Sequence, residues 1–324
     1  MNEVQRESFD PKGVIPACLM PFDEALQIDE SAYRRHLADL AGVEGISAIT
    51  LNGHAAEVHA LSLDEQIRSM EIAKQELGDT VPLVVGIHRS HSLEAAELAA
   101  LAESIGIDAL LVFPNDATAI GGQRKNQCAH AHLSSIVEAT RLPIILFQYP
   151  MASGLGYPLE TLLELCREFT QISAIKDWCN DPVLHEKHVR GLHALERPVG
   201  VLSTHSAWML SSLVIGCDGL LSGAGSVVAS LQVALFRAIQ VDDLTAARDI
   251  YERLYPVTDA FYADPLLDMH NRMKETLVLL GCWHSARVRP PLTKLGSPEI
   301  ERLRLAIQKA QLSGDQLYQS VGVG

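Results

Sequence analysis

The stretch Ser173-Ala174-Ile175-Lys176-Asp177-Trp178-Cys179 decides how the rest of the chain is read. A short apolar run, Ile172 to Ile175, reads as a buried strand, so Lys176 emerges at the C-terminal end of that strand. Burial disfavours an ammonium ion. An amine held there becomes a nucleophile near neutral pH, which is what Schiff-base chemistry on a carbonyl substrate needs. The alternative is a lysine that reaches the rim and pairs with Asp177 or another acid.

Outward from this strand the same unit recurs. Downstream, Asp181-Pro182 opens a helix with a good cap and a proline in its first turn, and Val199 to Ser203 is the next strand. A helix from about Ser206 to Ile215, a strand Gly219 to Ser222 and a helix Val227 to Gln240 follow. Upstream, apolar runs at Gly13 to Met20, Gly45 to Leu51, Val81 to Ile87, Asp108 to Phe113 and Leu142 to Phe147 read as strands. Helical spacing between them covers Asp29 to Leu40, Ser62 to Leu77 with the capping-box residues Ser62 and Glu65, Ser92 to Ile105, Lys125 to Thr140, and Pro158 to Phe169. Eight strand-helix units in roughly 230 residues fit a closed (β/α)8 TIM barrel better than an open doubly wound sheet. No dinucleotide fingerprint or Walker-type loop follows the first strand.

The expected organisation is a mobile N-terminus over residues 1–12, the barrel over 13–241, and a C-terminal helical extension over 242–324 packed on the barrel. The extension reads as about three helices with a break at Pro290-Pro291. A formal charge of −14, with no clustered Lys/Arg run, argues against nucleic acid and for a small-molecule partner. Six scattered cysteines without C-x-x-C spacing argue against a disulfide framework or a zinc site. The start of the chain has no apolar leader and no 18-residue uncharged apolar run occurs, so a cytoplasmic protein outside the membrane is expected.

In a barrel the chemistry sits just after the strands. Four segments stand out there: Asn52 to Glu57, Phe147-Gln148-Tyr149-Pro150, Lys176, and Ser222-Gly223-Ala224-Gly225. With these residues in view, the chain resembles the dihydrodipicolinate synthase/N-acetylneuraminate lyase family of class I aldolases and dehydratases. The likeness runs from Gly13 to about residue 312. It is carried by Pro21-Phe22, by Gly53, Glu57, Leu61, Ser62 and Glu65, by the strand that ends at Pro150, by Ile175-Lys176, and by Gly219 to Ser222. The resemblance implies that Lys176 forms a Schiff base with pyruvate or a longer 2-keto acid. It also implies a carboxylate cradle at Gly53, His54, Ala55 and Ala56, further substrate contacts at Phe147, Leu221 and Ser222, no cofactor, no metal, and assembly as a homo-oligomer, dimer or tetramer. A loop that offers oriented N–H groups to an anion is physically suited to the cradle role.

The departures from the family pattern narrow the function. Gly53-His54-Ala55-Ala56-Glu57 lacks both hydroxyl donors usual in the cradle. The proton-relaying tyrosine of strand five is Phe147, which cannot move a proton, while Tyr149 lies two residues on, on the same side if the strand continues. Tyr149 is therefore the candidate acid or base beside Lys176, the alternative being a packed rim aromatic. Ala152 stands where the synthases carry an arginine for a second carboxylate, and Pro114-Asn115-Asp116 replaces a Pro-Tyr-Tyr, which removes the hydroxyl that a neighbouring subunit lends. A lyase acting on a keto-deoxy sugar acid or a related 2-keto acid is expected, rather than a true dihydrodipicolinate synthase. A barrel that binds a keto acid without turning it over is the alternative. A metal-dependent aldolase built on His54, His59, His88 and His91 is a further one, although no metal-ligand signature accompanies them and His185-x-x-His188 lies outside the barrel mouth. Cys179 and Cys217, near strand ends, read as small buried residues.

Overall fold

Apolar runs that are buried on both faces become central strands, and here they become eight parallel ones. In this computed structural model, which describes residues 9–319, they are β1 (Gly13–Pro16), β2 (Ile49–Leu51), β3 (Leu83–Ile87), β4 (Ala109–Val112), β5 (Ile144–Gln148), β6 (Ile172–Asp177), β7 (Gly200–Ser203) and β8 (Gly219–Ser222). Hydrogen-bonded neighbours run β1-β8-β7-β6-β5-β4-β3-β2. The ring closes between β1 and β2 through the parallel bridges Val14↔Ile46 and Ala17↔Thr50, with Ser47 N–H on the Val14 carbonyl at 2.8 Å and Cys18 N–H on Thr50 at 2.9 Å. The fold is a (β/α)8 TIM barrel. Closure leaves no strand edge to solvent.

The intervening helices are α1 (Glu30–Ala41), α2 (Leu63–Leu77), α3 (Ser92–Ile105), α4 (Asn126–Ala139), α5 (Leu159–Glu168), α6 (Pro182–His193), α7 (Met209–Val214) and α8 (Gly225–Gln240). Their starts follow from sequence chemistry. Ser62 and Glu65 form both bonds of the capping box on α2, and Asp181 accepts from Val183 and Leu184 with Pro182 in the first turn of α6. Three more helices, α9 (Leu244–Phe261), α10 (Met269–Leu279) and α11 (Ser297–Ala310), make the extension, and the Pro290-Pro291 segment falls between α10 and α11. Twelve of the sixteen residues of α8 are buried, because it lies between β1 on one side and α9 on the other. A helix apolar on all sides needs cover on all sides, and the extension supplies it.

Residues 1–8, most of the stretch expected to be mobile, lie outside the described residues, as do 320–324. Of the remainder, Phe9 packs against the core and Pro11 is buried. The first strand is shorter than expected and stops at Pro16. Ala17 and Cys18 still bond across to Ser222 and Thr50, and the chain leaves the ladder at Leu19, whose N–H reaches His36 Nε2 at 3.3 Å. The second begins at Ile49 rather than Gly45, where a φ of +103° is incompatible with a strand. Among the described residues no helix is long and apolar enough to cross a membrane.

Candidate active site

Strand alternation sends Lys176 into the barrel and Asp177 out of it. The two therefore do not pair, and no other acid pairs with Lys176 among the described residues. The Asp177 carboxylate faces α6, where Nδ1 of His185 and Nδ1 of His188 each lie 2.8 Å from one oxygen while the Cys179 N–H donates to the other at 2.9 Å. Burial opposes ionisation of Asp177, but the two histidine hydrogen bonds outweigh it and hold the carboxyl well below the ordinary range. Lys176 is only 4 % exposed. Its Nζ sits over the Phe147 ring, 4.2 Å from the centroid, and burial alone pushes its pKa from 10.5 down to about 7. The residue that replaces the usual tyrosine thus forms the apolar floor that keeps the amine dry.

Lys176 opens into a cavity lined also by His54, Ala55, Phe147, Trp178, Thr204 and Gly223, and by Tyr262, Met269 and His270 from the extension. Tyr149 continues β5 on the side of Phe147, with ring centroids 4.6 Å apart. Its hydroxyl lies 2.5 Å from His54 Nε2. Burial, then the nearby Asp116 charge, holds the phenol well above its ordinary pKa. Burial, then the neighbouring His270 and Lys176 charges, holds His54 well below its own. Both shifts favour the neutral pair, with the phenol donating to the imidazole. His54 also stacks on Phe113 at 5.2 Å and meets Phe147 edge-on at 5.7 Å, so packing fixes the ring that the hydroxyl addresses.

The loop after β2 is held from both ends. Asn52, at φ +49°, gives its Nδ2–H to the Gln66 carbonyl and accepts from Ser69, and Glu57, at φ +52°, ends a short 3-10 turn over His54–Ala56. In that turn Ala56 and Glu57 N–H donate to Gly53 and His54. The amides of His54 and Ala55, two residues earlier each, have no backbone acceptor among the described residues, and both residues line the cavity. Glu57 forms a fully buried ion pair with Lys274 of α10, while Glu65 takes the Arg289 guanidinium through two bonds of 2.7 and 2.5 Å. Phe22 lies under both cations, 4.5 Å from Lys274 Nζ and 4.4 Å from the Arg289 guanidinium carbon. Phe22, Glu57 and Glu65 thus belong to one clamp between loop and extension.

The structure brings Lys176, Phe147, His54 and Ala55 together at the cavity, with Tyr149 against His54. Gly53 and Ala56 frame the turn without lining the cavity. Leu221 and Ser222 do not reach it, and Gly223 takes the expected place. Leu221 is wholly buried in the core, and the Ser222 hydroxyl is occupied by Gln232 Nε2 at 2.9 Å and by the Gly225 N–H at 3.4 Å. Ala152 is exposed in the turn after β5, and Asn115 caps the following turn with its side chain on the Ser90 carbonyl. Of the histidines weighed as metal ligands, His54 meets the Tyr149 hydroxyl, His88 pairs with Asp116 at 3.3 Å and His91 caps α3. Among the described residues only Asp177, Cys179 and His188 gather three ligand atoms within 4.8 Å, and they lie behind β6, away from the cavity. All six cysteines are free, and burial pushes the Cys179 and Cys217 thiols up. Trp178, Thr204, Tyr262, Met269 and His270 were not singled out from sequence.

A profile of the dihydrodipicolinate synthetase family matches residues 10–310. The chain belongs to this family. A 4-hydroxy-tetrahydrodipicolinate synthase of Methanopyrus kandleri is 30% identical over 312 residues, spanning 94% of this chain and 98% of the relative. The 4-hydroxy-tetrahydrodipicolinate synthase structure from Methylacidiphilum fumariolicum SolV superposes with a TM-score of 0.83 at 24% identity, covering 93% and 96% of the two chains. A prophage protein of the dihydrodipicolinic acid synthase family from E. coli K12, solved in complex with pyruvate, does so at 0.83 and 22%, covering 93% and 99%. Members of the dihydrodipicolinate synthetase family are class I lyases that act through a lysine Schiff base, and this chain is an enzyme of that class.

Proposed function

We propose that Lys176 condenses with the keto carbon of pyruvate or a longer 2-keto acid, and that the enzyme catalyses aldol cleavage or condensation, or dehydration of a keto-deoxy sugar acid, rather than dihydrodipicolinate synthesis. One observation carries the reading: a buried lysine, free of any ion pair among the described residues and with its pKa near 7, opens into the cavity that His54 also lines, with the Tyr149 hydroxyl on that imidazole. At neutral pH about half of such an amine is unprotonated and able to attack. Attack on the keto carbon gives a carbinolamine, and loss of water gives the iminium. That cation withdraws electrons from the bond between the third and fourth carbons, or supports loss of a hydroxyl from the fourth.

Both outcomes need a proton moved at the hydroxyl on the fourth carbon. In cleavage Tyr149 accepts it on its phenol oxygen as its own proton passes to His54 Nε2; in dehydration the pair takes a proton from the third carbon in the same way, and the reverse transfer delivers it to the hydroxyl on the fourth, which leaves as water. The His54 and Ala55 amides hold the substrate carboxylate in place of the missing hydroxyl donors. Pyruvate bound by the E. coli family member supports the keto-acid class. Against aspartate semialdehyde stand Ala152, exposed and uncharged, and a cavity whose cationic group is Lys176 itself. A second carboxylate would be desolvated there without a partner.

Borohydride reduction with a panel of 2-keto acids, read by mass spectrometry of the intact chain and its peptides, tests the reading. Pyruvate adds a stable mass to the peptide holding Lys176, and Lys176→Ala abolishes it. An adduct on another lysine, or none with any acid, defeats the proposal. An adduct at Lys176 without turnover of any acid identifies a barrel that only binds.

A further inference from the structure

The helical extension sends one imidazole into the cavity, and nothing already described gives it a task. His270 is 9 % exposed and forms no hydrogen bond among the described residues, yet it lines the same space as Lys176. Its Nε2 and Cδ2 edge lies against Gly223, where a Cβ would come within 3.2 Å of both atoms, so glycine at 223 is what lets the ring sit so close to the end of β8. The ring centroid is 6.5 Å from that of His54, at 89°, so the two imidazoles border the cavity from different elements.

Its position is not left to chance. His270 and Lys274 are four residues apart and share one face of α10. Lys274 is tied to Glu57 and to the Arg287 carbonyl at 2.8 Å, Asn271 donates to the Thr293 carbonyl at 2.7 Å, and Arg272 reaches Glu299 at 2.8 Å and the Ala263 carbonyl at 2.5 Å. A helix fastened through Asn271, Arg272 and Lys274 holds the His270 ring in a fixed direction at the edge of the cavity.

We propose that His270 is a substrate-binding residue that recognises a hydroxyl on the 2-keto acid beyond its fourth carbon, so that the helical extension completes the site and selects a polyhydroxylated, uncharged tail. The inference rests on Lys176 forming the imine, and it adds where the far end of the substrate lies. A neutral imidazole offers one donor and one acceptor, which matches a hydroxyl group. Burial, first, and the nearby Lys176 charge keep His270 neutral, with its pKa pushed to about 3, so it does not supply the positive charge that a second carboxylate requires. Leaving such a ring unpaired in a desolvated pocket carries a cost that the right substrate removes, which is how a site discriminates against an analogue lacking the hydroxyl.

The test uses pyruvate, 4-hydroxy-2-oxopentanoate and 4,5-dihydroxy-2-oxopentanoate. The last two differ by the hydroxyl on the fifth carbon alone. For each acid the concentration giving half-maximal borohydride-trapped adduct at Lys176 is read by mass spectrometry, summing the intact adduct with any pyruvate adduct left by cleavage. The wild type reaches half-saturation with the dihydroxy acid at roughly three- to tenfold lower concentration than with the monohydroxy acid, the value of one neutral hydrogen bond. His270→Phe abolishes that preference, His270→Asn keeps part of it, and pyruvate trapping is unchanged in both. If the wild type shows no preference, or if it persists in a variant that still traps pyruvate normally, the assignment of His270 is wrong. If His270→Phe no longer traps pyruvate, His270→Asn decides: a preference as large as the wild type's overturns the assignment, and a reduced one upholds it. Failure of the wild type to trap pyruvate at Lys176 removes the Schiff-base reading instead, and this proposal with it.

Discussion

The depressed basicity of Lys176 makes a quantitative prediction. With a pKa of about 7 in place of 10.5, half the amine is free at pH 7, against about one molecule in 3,000 for an ordinary lysine. Trace acetylation with acetic anhydride reports free amine, and a small lysine peptide added to the same tube supplies the reference. The reactivity of Lys176, read by peptide mass spectrometry, rises tenfold per pH step below its midpoint, passes that midpoint near pH 7 and flattens above about pH 8, while the reference peptide climbs through pH 9. The same burial costs stability. Between about pH 7 and 10.5 the unfolded chain holds a proton here that the folded protein has lost, so stability rises with pH across that window. Below pH 7 the penalty is present in full, and at pH 7 it is up to about 4 kcal/mol. Lys176→Met therefore unfolds at higher urea than wild type at pH 7, and the gap closes toward pH 10. A Lys176 midpoint near 10.5, with a stability gap that ignores pH, refutes the claim that the amine is held dry over Phe147.

Tyr149→Phe lowers turnover by about 10²-fold or more in steady-state assays while pyruvate still traps on Lys176, and a wild-type rate with an unshifted pH profile would reduce Tyr149 to a packed aromatic. Glu57→Gln leaves Lys274 buried without its counter-charge and costs about 3–5 kcal/mol in urea unfolding, the usual scale for breaking a buried pair; an unchanged midpoint would show that the clamp carries no weight. Dialysis against EDTA leaves turnover and trapping unchanged, whereas chelator-sensitive turnover without a trapped imine would mean that a cation polarises the carbonyl. With Pro114-Asn115-Asp116 lacking the hydroxyl that a neighbouring subunit would lend, dilution of any oligomer to monomers, followed by light scattering, should leave turnover per chain intact, and loss of turnover without unfolding would mean that a neighbour lends a group.

The barrel is legible in the sequence because strands buried on both faces are written as apolar runs, and helix starts such as Ser62 to Glu65 and Asp181-Pro182 carry their caps in plain view. Strand ends are less legible. Whether Leu19 and Met20 continue the ladder depends on where His36 of α1 lies, and one strand's residues do not record that. The same limit governs the site. Lys176, Phe147 and His54 could be named from local pattern, but the 2.5 Å contact between Tyr149 and His54 joins residues 95 positions apart. Ser222 misled for a related reason: its hydroxyl is spent on Gln232, which the helix places above it ten residues later. His270 gave no signal, since a histidine on an amphipathic helix is ordinary until Lys274 is seen to dock that helix on Glu57.

Taken together, Phe147 and Tyr149 give a physical reason for the departure at strand five. A phenol at 147 would place a hydroxyl near the Lys176 amine, where it could hydrogen-bond and solvate the charged form, and so raise the pKa that nucleophilic attack needs low. With the hydroxyl at 149, two residues further along the same side of the chain, the amine keeps a purely apolar floor, and the proton carrier gains a fixed acceptor in His54. In the proposed mechanism the arrangement separates two tasks, a dry nucleophile and a hydrogen-bonded proton relay, onto different side chains. It also explains why the cradle gave up its hydroxyls: the position that would hold one is His54, whose ring is needed for the relay, leaving its backbone amide for the carboxylate. Restoring tyrosine at 147 by itself should then raise the Lys176 midpoint in the acetylation profile rather than improve the enzyme, because the relay already has its partner.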